Sequence, residues 1–251
     1  MKTDGYALIT GASSGIGEAI AREYAKRGKP LILTARRKER LEALAAELGV
    51  SVPVVVLAAD LADPKAPQEM FDAIQAAGLH VDTLVNNAGY GVPGRYLSES
   101  WASHRDFIQV LMTAVAELTY LFLPAMEAQK HGRILNVASL AGLAPASAGH
   151  TLYGASKSWL IRFSECLALE SNPRGVHVTA LCPGPTRTEF EGRAGSPDEI
   201  MARKKGFVMS ASNVAREGWR GMKAGKRVVI PGFRNRLLVQ AERVTPRRLV
   251  T

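Results

Sequence analysis

Short, almost wholly apolar runs alternate along the chain with longer stretches in which apolar residues recur every three or four positions. The runs predict seven strands, at 6–10, 31–34, 52–57, 83–85, 133–137, 176–181 and 227–230. The longer stretches predict helices near 15–26, 38–48, 66–76, 100–128, 151–171 and 212–224. Apolar strands that alternate with helices are typical of a parallel sheet covered on both faces. We therefore expect an α/β fold built on a doubly wound parallel sheet of about seven strands.

Composition agrees with an ordinary globular protein. The chain has 251 residues, 47% of them hydrophobic and 22% charged, which is enough apolar material for a sizeable core. Cys166 and Cys182 have no Cys or His neighbours at metal-ligand spacing, so we expect free thiols and no metal site. The first residues lack the plan of a signal peptide. The apolar stretch at 110–126 is interrupted by Glu117 and Pro124 and is shorter than the ~20 residues that span a bilayer. We expect a cytoplasmic protein.

The formal net charge of +9 is concentrated near one end of the chain. Residues 201–251 hold 13 of the 32 Lys and Arg residues and only 2 of the 23 Asp and Glu residues. In the tail, 232–251, four apolar residues have helical spacing among arginines: Leu237, Leu238, Ala241 and Val244. This pattern predicts a basic amphipathic helix that contacts anionic lipid peripherally, docks on a partner subunit or packs on its own domain. Nucleic acid is not an expected partner, because no aromatic residues are interleaved with the basic ones.

A glycine-rich turn follows the first predicted strand and leads into the first predicted helix. It reads Thr10-Gly11-Ala12-Ser13-Ser14-Gly15-Ile16-Gly17. Gly11 permits a tight turn, Gly15 lets the backbone approach a pyrophosphate, and Gly17 lets the helix pack closely on the strand. The free N–H groups at the start of the helix would then face the phosphates. The turn predicts a dinucleotide site, and a merely tight strand–helix corner is the alternative.

The end of the second strand distinguishes the two nicotinamide dinucleotides. An acidic residue here binds the ribose 2′-hydroxyl of NAD, whereas arginine accommodates the 2′-phosphate of NADP. The chain has Arg36 and Arg37 at this place and no carboxylate before Glu39. Two cations are poorly placed at a helix N-terminus unless an anion joins them. We therefore expect NADP(H) as the cofactor, with NAD(H) as the alternative.

A tyrosine, a lysine and a serine form the candidate catalytic group. Tyr153 and Lys157 are four residues apart near the start of a predicted helix, so their polar ends can meet the same ligand. A neighbouring ammonium lowers the pKa of a phenol, which suits general acid–base catalysis. Ser139 follows the fifth predicted strand and so lies at the edge of the sheet where ligands bind. Its hydroxyl can hold a carbonyl oxygen while Tyr153 donates a proton to that oxygen.

In order and spacing, these motifs resemble those of the short-chain dehydrogenase/reductase family of single-domain, Rossmann-like proteins. The resemblance covers almost the whole chain and includes Thr10-Gly11-x-x-x-Gly15-x-Gly17, Asp60-Leu61, Asn86-Asn87-Ala88-Gly89, Ser139, Tyr153-x-x-x-Lys157, and Pro183-Gly184 followed by Thr188. It implies one oxidoreductase domain over 1–251. It also implies hydride transfer between nicotinamide C4 and the carbon of a ketone, aldehyde or secondary alcohol. A homodimer or homotetramer, paired through the helices near 100–128 and 151–171, is a further implication.

The resemblance also implies how the cofactor is held. Asp60 and Leu61 would contact the adenine. Tyr153 and Lys157 would also contact the cofactor, and Lys157 would bind the ribose hydroxyls in addition to acting on Tyr153. The turn formed by Asn87, Ala88 and Gly89 would line the cofactor channel. The nicotinamide carboxamide would be held by the segment after the sixth strand, through Pro183, Gly184, Thr186 and Thr188.

One position departs from the family pattern. Leu111 stands where the family has an asparagine that completes a proton relay through an ordered water. Leucine can neither bind a water nor hold a helix kink open, so we expect either another group, such as Thr113, to replace it or turnover to be slow. The same departure motivates an alternative function, that of an NADP-binding regulator or interaction protein with weak or no catalysis.

The substrate side carries a weaker signal. The segment at 189–210 is expected to cover the substrate and places six apolar residues among charged ones: Phe190, Ile200, Met201, Phe207, Val208 and Met209. An adaptable apolar lid favours a hydrophobic carbonyl compound, and an ordinary surface loop is the alternative. Tyr90, Tyr96 and His150 are further candidates for the substrate pocket.

Overall fold

The chain is represented by a computed structural model that describes residues 5–146, 148–188 and 208–244. Seven parallel strands form the main sheet in the order β3-β2-β1-β4-β5-β6-β9. These strands are β1 (Tyr6–Thr10), β2 (Leu31–Thr34), β3 (Val54–Val56), β4 (Val81–Asn86), β5 (Gly132–Val137), β6 (Val176–Leu181) and β9 (Val228–Val229). The predicted doubly wound, Rossmann-like sheet is confirmed, and every predicted strand is present.

Helices join the strands and cover both faces of the sheet. They are α1 (Gly15–Ala25), α2 (Lys38–Leu48), α3 (Ala66–Ala76), α4 (Trp101–Ile108), α5 (Ala114–Ala128), α6 (Thr151–Ser171), α7 (Ala211–Lys223) and α8 (Phe233–Val244). A second, two-stranded parallel sheet pairs β7 (Thr186–Arg187) with β8 (Met209–Ser210). The sequence did not predict this pair, because a two-residue strand has no periodicity to detect.

The alternation of side chains along the strands divides the core into two layers. Ile9 and Leu33 are paired in register and pack with α1, α2 and α7, whereas Leu8 and Ile32, one position earlier on each strand, face α3 and α5 on the other side. All four side chains are fully buried. Both faces of β1 and β2 are therefore covered, which explains why these strands read as continuous apolar runs.

The order in which strands are added to the sheet reverses between β1 and β4. These two strands are neighbours in the sheet, although β2 and β3 lie between them in the chain. From this point the crossovers lead outward in opposite directions and leave a crevice above the carboxyl ends of the strands. Thr10, Asn86 and Val137 end β1, β4 and β5 at this edge. The fold thus places the predicted ligand-binding residues around one crevice.

A single long helical rod crosses one face of the sheet. Helix α4, a π-helical turn at Gln109–Thr113 and α5 follow one another from Trp101 to Ala128 without a break. By length and mean hydropathy, 1.5 over the most apolar window, this rod could span a bilayer, but half of that window is buried within the protein. Core helices pass the same test, and here Phe107, Leu118 and Met126 pack against the sheet.

Candidate active site

A cavity of about 1470 Å³ lies above the carboxyl ends of the central strands. Every predicted catalytic and cofactor-binding residue lies on its wall except Gly17, which follows the glycine turn in α1. The cavity has two ends. Arg36, Arg37 and Asp60 mark the adenosine end, and Ser139, Tyr153 and the segment that follows β6 mark the catalytic end.

The glycine turn forms a cradle in which side chains have no room. Gly11 and Gly15 have φ angles of 66° and 61°, in the left-handed region that favours glycine. A Cβ atom on Gly17 would lie 2.3 Å from the carbonyl oxygen of Gly11, and one on Gly11 would lie 2.8 Å from the Cα atom of Ala88. Helix α1 begins at Gly15, so its first N–H groups face the crevice. The turn therefore fits a pyrophosphate, as its spacing predicts.

A threonine and an asparagine join this turn to the end of β4. The Thr10 hydroxyl accepts hydrogen bonds from the N–H groups of Asn87 and Ala88, both at 2.9 Å. The amide of Asn87 donates to the carbonyl oxygens of Thr10 and Gly11, at 2.9 and 3.2 Å. Sequence reasoning placed Asn87 on the cofactor channel but did not foresee the part that Thr10 plays. These bonds hold the two walls of the channel together.

The two arginines of the adenosine end lie beside the serines of the turn. Arg37 donates to the hydroxyls of Ser14 and Ser13, at 2.8 and 3.1 Å. The side chain of Arg36 is 59% exposed, and its Nη1 lies 4.0 Å from Asp60 Oδ2. An exposed ion pair at this distance contributes little stability, so Arg36 can turn to another anion at small cost. Guanidinium and hydroxyl groups thus converge at this end of the cavity.

The catalytic candidates meet at the other end. The side chains of Tyr153 and Ser139 are joined by a hydrogen bond. The Ser139 hydroxyl also accepts the N–H of Ala141 at 3.1 Å, which fixes its oxygen. Lys157 donates through Nζ to the Val137 carbonyl oxygen at 2.9 Å and lies 5.7 Å from the centre of the Tyr153 ring. The three side chains are therefore close together, as their spacing predicts.

Burial is the largest influence on the pKa values of Tyr153 and Lys157. It raises the pKa of Tyr153 above its ordinary value, and the hydrogen bond with Ser139 opposes the rise. Burial lowers the pKa of Lys157 to about 8, against a smaller opposing effect of Cys182. The net shift of the Tyr153 pKa is therefore upward, opposite in direction to the lowering expected from Lys157. Burial outweighs the neighbouring charge, and the ammonium donates to the Val137 carbonyl oxygen.

A buried polar chain fixes the helix that carries Tyr153 and Lys157. Asn86, at the end of β4, donates to the side-chain oxygen of Asn136 on β5 at 2.9 Å. Asn136 in turn donates to the Ser164 hydroxyl on α6, also at 2.9 Å. Buried bonds of this kind specify one arrangement of the elements that they connect. The residue types at these positions carry no periodic signal, and sequence reasoning missed the chain.

Leucine replaces the family asparagine in a helix that carries a π-helical turn at Gln109–Thr113. Leu111 is 2% exposed, and a Cβ atom added to Gly89 would lie 3.5 Å from its Cγ atom. The regular α-helix is thus interrupted at Leu111 without an asparagine, contrary to the expectation for leucine. Thr113, the proposed substitute, is exposed and is not on the cavity wall.

Of the other substrate-side candidates, Tyr90 and His150 lie on the cavity wall. Tyr96 does not, and its ring stacks on that of His104 at 4.5 Å between centroids. Most of the predicted lid, 189–207, lies outside the described residues.

The cavity wall also contains two residues of α8, Asn235 and Leu238, which sequence reasoning missed. The predicted tail helix is confirmed at 233–244, and among the side chains described there the buried ones are Asn235 and Val239 rather than Leu237, Leu238 or Ala241. Helical spacing predicted the helix, and nothing in the tail marked which of its faces meets the cavity.

Comparison with known proteins agrees with this geometry. Residues 5–199 match the family model for short chain dehydrogenases. Sulfoacetaldehyde reductase 2 of Chromohalobacter salexigens is 40% identical over 185 residues, which cover 73% of this chain and 73% of the relative. The chain belongs to the short-chain dehydrogenase/reductase family, whose members are oxidoreductases that act on CH–OH or C=O groups of small molecules.

Two solved structures show the same fold with a nicotinamide cofactor. A short-chain dehydrogenase from Sphingobium yanoikuyae in complex with NADPH is 34% identical with a TM-score of 0.83, and the match covers 95% of this chain and 94% of that one. A member from Burkholderia phymatum in complex with NAD is 25% identical with a TM-score of 0.82, and the match covers 96% and 93%. A nicotinamide dinucleotide is therefore the cofactor class, and relatedness does not decide between its two forms.

Proposed function

We propose that the protein is an NADP(H)-dependent oxidoreductase that transfers hydride between nicotinamide and a hydrophobic ketone, aldehyde or secondary alcohol. The observation that carries this proposal is the meeting of Ser139, Tyr153 and Lys157 in the cavity that the glycine turn closes at its other end. A proton donor, a carbonyl-binding hydroxyl and a dinucleotide cradle are the parts that a carbonyl reductase needs.

The residues present fit a dinucleotide along the cavity. The turn at Gly11 and Gly15 would hold the pyrophosphate, because its left-handed φ angles favour glycine and leave the backbone without side chains that would block a phosphate. Arg36 and Arg37 would bind the 2′-phosphate, and Asp60 the adenine. Thr186 and Thr188, on the wall of the catalytic end, would hold the carboxamide.

Proton transfer follows from the positions of the catalytic side chains. A nicotinamide cofactor held in this cavity would supply the hydride for reduction of the carbonyl carbon. Ser139 holds the carbonyl oxygen, and Tyr153 donates its phenolic proton to that oxygen as the alkoxide charge develops. Because burial raises the pKa of Tyr153, the phenol is protonated at neutral pH and acts as the acid. The ammonium of Lys157, close to the ring, stabilises the phenolate that remains.

The chemistry of the wall supports a hydrophobic substrate. Leu140, Ala141, Ala144 and Pro145 line the cavity directly after Ser139. Among the described wall residues at this end, the one Lys or Arg is Lys157. Its ammonium already donates a hydrogen bond to the Val137 carbonyl oxygen. A sulfonated aldehyde, the substrate that the Chromohalobacter relative's name indicates, would need a free cation here. An apolar carbonyl compound needs none.

The decisive experiment measures NADPH oxidation with a panel of carbonyl compounds that includes acetophenone, propanal and sulfoacetaldehyde. We expect measurable turnover that is fastest with the apolar ketone. Titration of NADPH fluorescence accompanies it, because binding without oxidation of NADPH by any carbonyl would support the cofactor-binding regulator instead. Preference for sulfoacetaldehyde would overturn the assignment of substrate class alone.

Cofactor preference is tested at Arg36. Charge-assisted hydrogen bonds contribute about 1.5–3 kcal/mol, so we expect Arg36→Asp to lower the ratio of kcat/KM for NADPH to that for NADH by roughly 10- to 100-fold. Arg40→Asp is the matched control, because it makes the same charge change on α2 at an exposed position away from the cavity wall. An equal effect of the two substitutions would contradict a specific 2′-phosphate site.

Assembly and location complete the proposal. We expect a cytoplasmic homodimer or homotetramer paired through α5 and α6, which expose Tyr120 and Leu169. Light scattering of Tyr120→Glu and Leu169→Glu, compared with wild type, tests this, and an unchanged mass would contradict it. Peripheral membrane contact through the tail stays a proposal, supported by exposed Phe233 and Leu237 beside Arg234 and Arg236.

A further inference from the structure

Helix α8 completes a wall of the cavity that the shared motifs do not account for. Asn235 and Leu238 line the cavity, although they lie about 80 residues beyond Tyr153 in the chain. The rest of the helix is mostly exposed, apart from Val239. The contacts that fix this helix also show which end of the cavity it faces.

Asn235 fixes the helix to the segment that follows β6. Its side chain is 2% exposed, and its amide donates to the Pro231 carbonyl oxygen at 3.0 Å. The amide lies so close to Gly184 that a Cβ atom there would come within 2.8 Å of both its nitrogen and its oxygen. The start of α8 is therefore in direct contact with the segment that we assign to the nicotinamide carboxamide. This contact places α8 at the catalytic end.

A second attachment holds the same turn. The N–H of Gly232 donates to Glu217 Oε2 on α7 at 3.1 Å, and Arg236 lies 3.9 Å from the same oxygen. Gly232 has a φ angle of 82°, and a Cβ atom there would lie 2.8 Å from the sulfur of Met209. The helix is thus anchored at its first turn on both α7 and β8.

Leu238 follows Asn235 by three residues and so shares its face of the helix, one turn further on. Its side chain is on the cavity wall and is 41% exposed. Leu237, its neighbour, is 53% exposed but is not on that wall. Adjacent leucines of one helix therefore have different surroundings: one borders the catalytic end of the cavity, and the other faces solvent.

We propose that Leu238 is a specificity-determining residue that contacts the non-reacting, apolar part of the substrate while Ser139 and Tyr153 hold the carbonyl oxygen. This inference rests on the proposed carbonyl oxidoreductase function and names the residue that selects among its substrates. Apolar contact in a partly open site discriminates through the surface that it removes from water. Asn235 is the corresponding positioning residue, because it sets the place of α8 relative to Gly184.

The test compares Leu238→Ala and Leu238→Gln with the control Leu237→Ala. The first removes apolar surface, the second keeps the length of the side chain but makes it polar, and the third makes the same truncation one residue away from the wall. Each variant is assayed with acetophenone and with propanal, which is too small to reach across the cavity. NADPH binding is titrated separately by fluorescence.

Both Leu238 substitutions should lower kcat/KM for acetophenone about tenfold, mainly through KM, because lost apolar contacts weaken binding of the ground state and the transition state alike. Values for propanal and the dissociation constant of NADPH should stay within about twofold of wild type. The control should behave as wild type with both substrates. Because Leu238 is partly exposed, folding should survive these changes.

Three results would overturn the inference. The Leu237 and Leu238 variants could lose activity equally, the loss could be the same for both substrates, or NADPH binding could weaken in parallel. Any of these would mean that α8 acts on general stability or on the cofactor. Absence of turnover by the wild type with every carbonyl would instead refute the proposed function, and the inference about Leu238 with it.

Discussion

The two ends of the cavity are built in different ways. The adenosine end consists of short turns that each follow a strand, and its key contacts are hydrogen bonds that involve backbone groups, such as those between Thr10 and Asn87. The catalytic end is assembled from β5, α6, the segment after β6 and α8, and there a side chain of a helix packs against a loop, as Asn235 does against Gly184. The shape of the adenosine end is set by backbone geometry, whereas the shape of the catalytic end depends on the side chains that line it.

This difference indicates which part of the protein can vary. A dinucleotide is the same molecule in every member of a cofactor class, so its cradle tolerates little change of shape. The substrate end needs only to bring a carbonyl to Ser139 and Tyr153, and its remaining wall is free to select the rest of the molecule. Substitutions at the two ends should therefore have separable effects on cofactor binding and on turnover.

The largest difference between the effect on turnover and the effect on cofactor binding is expected for Tyr153→Phe. The change removes the phenolic proton and leaves the ring, so carbonyl reduction should fall by roughly 10²- to 10⁴-fold, the usual contribution of a general acid. The dissociation constant of NADPH, measured by fluorescence titration, should change by less than about threefold. A comparable loss of NADPH binding would show that Tyr153 belongs to the cofactor site rather than to the chemistry.

For Gly17→Ala we expect the main losses in stability and in cofactor binding. Helix propensity alone would make alanine more stable here by about 1 kcal/mol. The added Cβ atom, however, would lie 2.3 Å from the Gly11 carbonyl oxygen and 2.4 Å from the Asn87 amide nitrogen, so we expect a loss of about 3 kcal/mol in the free energy of unfolding. NADPH binding should weaken by at least tenfold, because the cradle must open.

Gly28→Ala is the matched control for that substitution. Gly28 has a φ angle of 74° but no atom within 4 Å of the position of a Cβ atom. Its replacement should cost about 1 kcal/mol of backbone strain without affecting NADPH binding. Urea unfolding and fluorescence titration of both variants measure these effects. A Gly17 variant as stable as wild type would contradict the close approach of α1 to the turn.

The difference between the two ends explains which site residues could be predicted from the sequence. Gly11, Gly15 and Arg36 act through local backbone geometry or charge, so their spacing in the chain predicted their places, and the family resemblance supplied that of Asn87. Leu238 could not be predicted, because its role depends on how α8 docks on a segment far away in the chain. Helical spacing assigned it to an apolar face with Leu237, but the side chains that dock the helix are Asn235 and Val239, and only Leu238 of the two leucines borders the cavity.

Charge at the catalytic end should be visible in the pH dependence of stability. The pKa of Lys157 is lowered to about 8 in the folded protein from 10.5. Between these values the unfolded chain binds more protons than the folded one, so the stability contributed by Lys157 rises with pH and is lost as pH falls through about 8. From pH 8 to pH 9 we expect the free energy of unfolding to rise by about 1 kcal/mol relative to Lys157→Met.

Urea unfolding of both proteins at the two pH values measures this difference. Burial also raises the pKa of Tyr153 and that of Cys182, the latter to about 12, and both shifts lower stability as pH rises. Because these groups are present in both proteins, their effects largely cancel in the comparison. Parallel curves for wild type and Lys157→Met would contradict the desolvation of Lys157.

The smallest effect is expected where the chain departs from its family. Leu111→Asn restores the family residue, yet the π-helical turn already exists and Leu111 is buried in it. Turnover should therefore stay within about threefold of wild type. A buried asparagine without partners costs roughly 1–3 kcal/mol, so the free energy of unfolding should fall by about that amount. Steady-state kinetics and urea unfolding of the same preparation give both numbers.

Leu111→Ala separates packing from polarity in this comparison. It removes apolar contacts without adding a hydrogen-bonding group, so any loss of stability that it shares with Leu111→Asn comes from packing. A tenfold or larger gain in turnover for Leu111→Asn, absent from Leu111→Ala, would show that the wild type lacks an effective proton relay. That outcome would also strengthen the regulator alternative, because the wild-type chain would then have kept the cofactor cradle while losing part of the catalytic end.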